Sequence, residues 1–117
     1  METKSVLLAL AALSAHARLS VFRTLVQAGP AGLAAGRIAE LTGMVPSSLS
    51  FHLKELAHAG LVESRQDGRF VIYTARFDTM NALIGFLTDN CCGGNPCSPS
   101  GAACAKASTA QPEDIAS

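Results

Sequence analysis

No cysteine occurs in the first 90 residues; all four fall between Cys91 and Cys104. A disulfide framework is normally spread through the fold it staples, so this clustering argues against a cross-braced core and suits a metal or redox site better. There is no Trp, and only one Tyr and five Phe. Leu and Ala supply most of the apolar content, and both favour helices. The longest apolar run, Val6 to Leu13, is far shorter than the ~20 residues that span a bilayer. Asp and Glu are scattered singly, no phosphate-binding glycine loop follows a strand, and no Ser or Cys has a readable base partner. No enzyme is therefore expected.

Net charge is zero over 117 residues, so composition alone gives no reason to invoke nucleic acid. The distribution is more informative. Between His16 and Arg76 stand seven basic residues (Arg18, Arg23, Arg37, Lys54, Arg65, Arg69, Arg76) against four acids (Glu40, Glu55, Glu63, Asp67). The balancing acids lie towards the two ends. A mildly basic middle permits contact with a polyanion. An apolar content of 49% is that of a globular chain, and the length suits one domain with a modest core.

Lys4 to Leu13 reads as a helix that is apolar nearly all round, which demands burial on more than one side. So small a chain offers few such surfaces, and a partner subunit is a natural second one. Ser14 is placed to cap a second helix, Ala15 to Ala28. There Ala15, Leu19, Phe22 and Val26 form an apolar stripe opposite His16, Ser20, Arg23 and Gln27. Gly29-Pro30 ends it. Ala31 to Ala35 reads as a small-residue connection. Arg37 to Thr42 is a short helix with Ile38 and Leu41 inward, closed by Gly43. After a tight turn at Met44-Val45, Pro46 opens a helix that runs to about Ala59.

Two short strands follow, Leu61 to Gln66 and Arg69 to Ala75. Asp67-Gly68 between them is a strong two-residue hairpin signal, which would pair Val62 with Tyr73 and Ser64 with Val71. Asp78 would cap a last helix reaching about Cys92, with Met80, Ile84, Leu87 and Cys91 on one stripe. Residues 1–92 are thus expected to form the folded domain. Residues 93–117, rich in Gly, Pro, Ser and Ala, are expected to form a flexible, Cys-containing tail.

The order α-α-α-α-β-β-α is that of a mainly α (α+β) winged helix-turn-helix, whose second helix of the pair can enter a major groove. If Leu49, Leu53 and Leu56 point inward, Ser47, Phe51, Lys54 and His58 point outward, flanked by Ser48, Ser50 and His52. Hydroxyls suit phosphates or base edges, Lys54 neutralises phosphate, and Phe51 suits a thymine methyl. Arg65 and Arg69 flank the hairpin tip, where a wing meets a DNA backbone.

The stretch PSSLSFHLKELAHAGLV followed by SRQDGRFVIYTAR resembles the recognition helix and wing of the ArsR/SmtB family of metal-responsive repressors. The shared pattern is Ser50-Phe51-His52-Leu53, an Ala-Gly-Leu-Val run, then Arg65, Gly68, Arg69 and Tyr73. The likeness covers roughly Ala15 to Asn90. It implies a cytoplasmic, membrane-free homodimer joined through its first and last helices and bound to double-stranded operator DNA. It also implies Ser47, Ser48, Ser50, Phe51, His52, Lys54, Arg65 and Arg69 as the DNA-facing set.

The cysteines carry the resemblance further. Gly36 to Ala59 has no Cys and Phe77 to Cys92 has no His, unlike many arsenic and zinc sensors of the family respectively. The chain is similar instead to a branch with a vicinal Cys pair after the last helix and a third Cys in the tail. That implies Cys91, Cys92 and Cys97 as ligands, with Cys104 the other candidate for the third. Three thiolates suit trigonal-pyramidal arsenite or antimonite as inducer, with no permanent cofactor; four would suit tetrahedral zinc. Methylarsenite, cadmium, lead and thiol oxidation are the other stimuli such a cluster could read.

One reading from another class competes. VLLALAAL followed by Ala15-His16-Ala17 matches a secretory signal core and cleavage site, which would make the chain a small secreted disulfide protein. Lys4 is offset by Glu2, so the basic start such signals carry is weak. N-terminal sequencing of the expressed protein separates the two: no product beginning at Arg18 is expected.

Overall fold

The computed structural model describes residues 1–89. Cys91, Cys92, Cys97, Cys104 and the expected boundary at residues 92 and 93 lie outside them. Met1–Leu83 form one compact unit, and the chain from Ile84 belongs to a second.

Helix α1, Thr3–Leu13, packs on the core through one side, with Leu13 half-buried at its end. Val6, Ala9 and Ala12 are buried, whereas Leu7, Leu8 and Leu10 face outward, Leu7 at 60% exposure. Ser14 closes this helix instead of capping the next one: its Oγ donates to the Ala11 carbonyl at 2.7 Å. Arg18 Nε donates to the Ala12 carbonyl at 2.8 Å and braces the corner, where the chain bends by 102°. Among the described residues no single helix is long and apolar enough to cross a membrane.

Helix α2, His16–Ala28, buries Val21, Phe22 and Leu25. The expected stripe through Ala15, Leu19, Phe22 and Val26 is therefore turned, and Leu19 is exposed. The cause is tertiary: α2 packs against α1, α3 (Ala35–Thr42), α4 (Pro46–His58) and the last strand, so more than one of its sides is covered. Helix α3 is touched on one side only. Ile38 is fully buried, but Leu41, expected inward, is 51% exposed. Pro46 occupies the first turn of α4, and Leu49, Leu53 and Leu56 are buried as the spacing requires. Gly60 and Leu61 end α4, donating to the Ala57 and Leu56 carbonyls at 3.0 Å each, the bond pattern of a Schellman closure. Leu25, Ile38, Leu49, Leu56 and Leu61 are the largest fully buried side chains of the core. Truncating any of them to Ala should cost about 2–5 kcal/mol.

The connection expected at Ala31 to Ala35 is more structured than its composition suggests. Gly29–Ala31 make a 3₁₀ turn and Leu33–Ala34 form a short strand, β1. It pairs antiparallel with β3 (Phe70–Ala75), Leu33 opposite Tyr73 and Ala34 opposite Ile72. With β2 (Val62–Asp67) this gives a three-stranded sheet in the order β1-β3-β2. Gly32 makes the contact possible. Its φ is 72°, and a Cβ there would stand 2.5 Å from the Tyr73 carbonyl oxygen and the Thr74 methyl. A sheet partner was not legible because two paired residues leave no alternation to read.

The hairpin register also differs from expectation. Val62 pairs with Ala75 and Ser64 with Tyr73, and Asp67 is itself paired, with Phe70. The two turn residues are Gly68 and Arg69, with Gly68 first at φ 63°. A positive φ at the first turn position favours glycine over aspartate, so the turn slides one residue along. Each partner thereby moves by two positions. Because the side-chain period of a strand is two, every residue keeps its face.

Helix α5, Phe77–Leu87, starts with Asp78 inside its first turn. Asp78 does not act as the cap; it takes the Arg76 guanidinium at 2.9 Å. That hydrogen bond holds the Asp78 carboxyl below the usual aspartate range. The pair thus favours the folded state at neutral pH and loses its effect as acid protonates Asp78; at the surface the effect is small. The helix ends at Leu87, short of the expected Cys92. There Thr88 Oγ1 donates back to the Ile84 carbonyl at 2.8 Å, and the Asp89 N–H reaches Phe86 at 3.3 Å.

Two glycine substitutions should move stability in opposite directions. Gly32→Ala combines a left-handed backbone with a collision against β3 and is expected to cost about 2–4 kcal/mol. Gly36→Ala, in open space on α3, should gain up to about 1 kcal/mol. Thermal unfolding followed by circular dichroism checks both; at ~4–8 °C per kcal/mol the two melting temperatures should separate clearly.

Candidate nucleic-acid interface

Helix α4 lies on the core through Leu49, Leu53 and Leu56, which fixes what its other side presents. Ser47, Ser48, Ser50, Phe51, Lys54 and His58 are exposed, and Phe51 is 55% exposed. No acidic residue stands in the first turn, and the residue before the helix, Val45, offers no capping oxygen. The first N–H groups of α4 are thus left without a side-chain acceptor, and they carry the positive end of the helix dipole. Two serine hydroxyls beside them complete a short row of donors. This combination suits phosphate oxygens and groove edges.

His52 sits between the buried and exposed sides of α4. Its ring meets Phe51 edge-on, with centroids 5.5 Å apart. Its Nδ1 is buried and has no hydrogen-bond partner among the described residues. No group of three His, Cys, Asp or Glu placed to hold a metal occurs among the described residues.

The wing holds the remaining expected residues, and the structure separates them. Arg69 occupies the turn and is exposed. Arg65 is turned back: its Nη2 donates to the Ala31 carbonyl at 2.9 Å, tying β2 to the 3₁₀ turn before Gly32. It therefore braces the wing in addition to contributing charge. The strand pairing puts Phe70 at the tip with 64% of its surface exposed. Phe70 is absent from the set read off the sequence. Only the turn position reveals it, because a turn at Asp67-Gly68 would have placed Arg69 at that end of the ladder.

Similarity to known proteins agrees with this geometry. A helix-turn-helix domain family matches residues 13–65. The HTH-type transcriptional regulator YceK of Bacillus subtilis is 38% identical over 77 residues, which cover 65% of this chain and 76% of YceK. The HTH-type transcriptional regulator YgaV of Escherichia coli is 31% identical over 64 residues, 55% of this chain and 65% of YgaV. Among solved structures, an ArsR-like transcriptional regulator from Rhodococcus superposes with a TM-score of 0.65 at 28% identity, covering 72% of this chain and 76% of that one. A homodimeric winged helix-turn-helix DNA-binding domain from Mycobacterium bovis, a possible ArsR-family regulator, gives 0.60 at 28% identity, covering 81% and 88%. The fold and these relatives define a winged helix-turn-helix transcriptional regulator, not an enzyme. Within that class the chain belongs to the ArsR/SmtB family.

Lys54 is the exposed cation on the outward side of α4. Lys54→Ala should weaken duplex binding for all sequences alike and lower the slope of log affinity against log salt by about 1. Fluorescence anisotropy with a labelled duplex at several salt concentrations measures both.

Proposed function

We propose that this protein is a repressor that grips double-stranded operator DNA as a homodimer and lets go when arsenite or antimonite binds thiolates of Cys91, Cys92 and Cys97. The observation that carries the DNA half is the outward side of α4, with its serines, Phe51 and Lys54 held rigid by three buried leucines. Two such helices in a dimer would reach successive major grooves about 34 Å apart. Leu7, Leu8 and Leu10, exposed on α1, supply apolar surface for a second subunit. Phe86 and Leu87, exposed at the end of α5, offer more. The Mycobacterium bovis neighbour is homodimeric, in line with this reading.

The inducer half rests on chemistry. Soft thiolates select soft ions and exclude magnesium, calcium and manganese. Three sulfurs match the three bonds arsenite forms. Cys91 and Cys92 follow the last helix by a few residues, so a bound ion would join the tail to the end of a helix assigned to the dimer interface. A shift in the angle between subunits would then prevent both recognition helices from fitting at once. A coupling of about 3 kcal/mol is enough to weaken binding roughly 150-fold.

The test uses a labelled duplex selected from a random pool by the wild-type protein. Arsenite should release the reduced wild type, and Cys91→Ser should stay bound at the same arsenite concentration. Release by peroxide but not arsenite would move the assignment to thiol oxidation, and release of Cys91→Ser would remove Cys91 from the ligand set. Leu8→Glu should lower the sedimentation mass to that of one chain and weaken duplex binding at least tenfold.

A further inference from the structure

We infer that the wing holds DNA chiefly by an apolar grip centred on Phe70, its ionic contributions nearly cancelling. This rests on the DNA-binding reading above and adds a residue and a type of contact to it. The charge at the tip nearly cancels. Asp67 is paired directly with Phe70, Arg69 occupies the turn, and no other acidic or basic side chain stands between Gln66 and Thr74. Arg65, the next cation along β2, is held by the Ala31 carbonyl. A tip with one acid and one base gains little net attraction from phosphates.

Its exposed surface is instead apolar. Phe70 is 64% exposed, and Val71 beside it on the opposite face is exposed as well. At the tip Gln66 Nε2 donates to the Gly68 carbonyl, the first residue of the turn, at 3.2 Å. At its base β3, the strand that carries Phe70, is anchored through Gly32 and β1. A charge-balanced ribbon ending in a phenyl ring fits the deoxyribose walls and base edges of a groove, where apolar side chains pack or wedge between steps. The occupant is therefore the duplex flanking the groove read by α4.

The salt dependence distinguishes an apolar grip from an ionic one. Burying about half a phenyl ring corresponds to roughly tenfold in affinity. Phe70→Ser should weaken binding to the selected duplex about tenfold with the salt slope unchanged, and Phe70→Leu should stay within about threefold of wild type. Asp67→Asn should tighten binding at low salt, and Arg69→Ala should lower the slope by about 1. Phe70→Ser binding as tightly as wild type would overturn the inference. So would a drop in its sedimentation mass, which would make Phe70 part of a contact between subunits. A melting temperature within a few degrees of wild type is expected for Phe70→Ser, since the ring covers little of the core. Failure of the wild type to select any duplex would instead sink the DNA-binding reading itself.

Discussion

The close approach of Gly32 to β3 is the contact on which the placement of the wing depends. The backbone after α2 runs so near Tyr73 and Thr74 that a methyl group would not fit. This approach lets Leu33 and Ala34 join the sheet as an edge strand and brings the Ala31 carbonyl within reach of Arg65. The hairpin is thereby clamped at its base from one side by hydrogen bonds and from the other by the core residues Val62 and Ala75. A two-stranded ribbon alone is marginal in water. Attachment to the helical body turns it into a projecting element of fixed direction, as a second contact point beside α4 requires.

The recognition helix is positioned by a different force. Leu49, Leu53 and Leu56 are each nearly inaccessible to solvent, and their spacing leaves one orientation of α4 that buries all three. The polar side follows without further instruction. The wing and the helix are thus held by separate means, close backbone packing for one and a leucine stripe for the other, and the loop between α2 and α3 joins both.

Much of this was legible in the residues. The helix order, Pro46 at the start of α4, the buried leucines and the exposed serines and Lys54 all follow from period and punctuation. Three features did not. Ser14 carries the same cap signal whether it opens a helix or closes the one before it, and only its bond to Ala11 decides. Leu41 looks as apolar as Ile38, but a helix of two turns touched on one side buries only one of them. The hairpin turn falls on Gly68-Arg69 because glycine tolerates the first position better than aspartate, and that step of one residue brings Phe70 to the tip. The cysteines are plain in the sequence and lie beyond the described residues, so their role stands on thiol chemistry.

The exposure of three leucines on α1 has a thermodynamic consequence. Val6, Ala9 and Ala12 face their own subunit, while the larger Leu7, Leu8 and Leu10 face away from it. Small side chains permit close packing but remove little area from water, so α1 is held only lightly by its own chain. The apolar surface of Leu7, Leu8 and Leu10 is left to solvent by the chain's own fold. If a second copy covers these leucines, as proposed, folding of the amino-terminal helix and self-association would share one free energy, and the fraction of molecules with α1 in place would vary with how much protein is present.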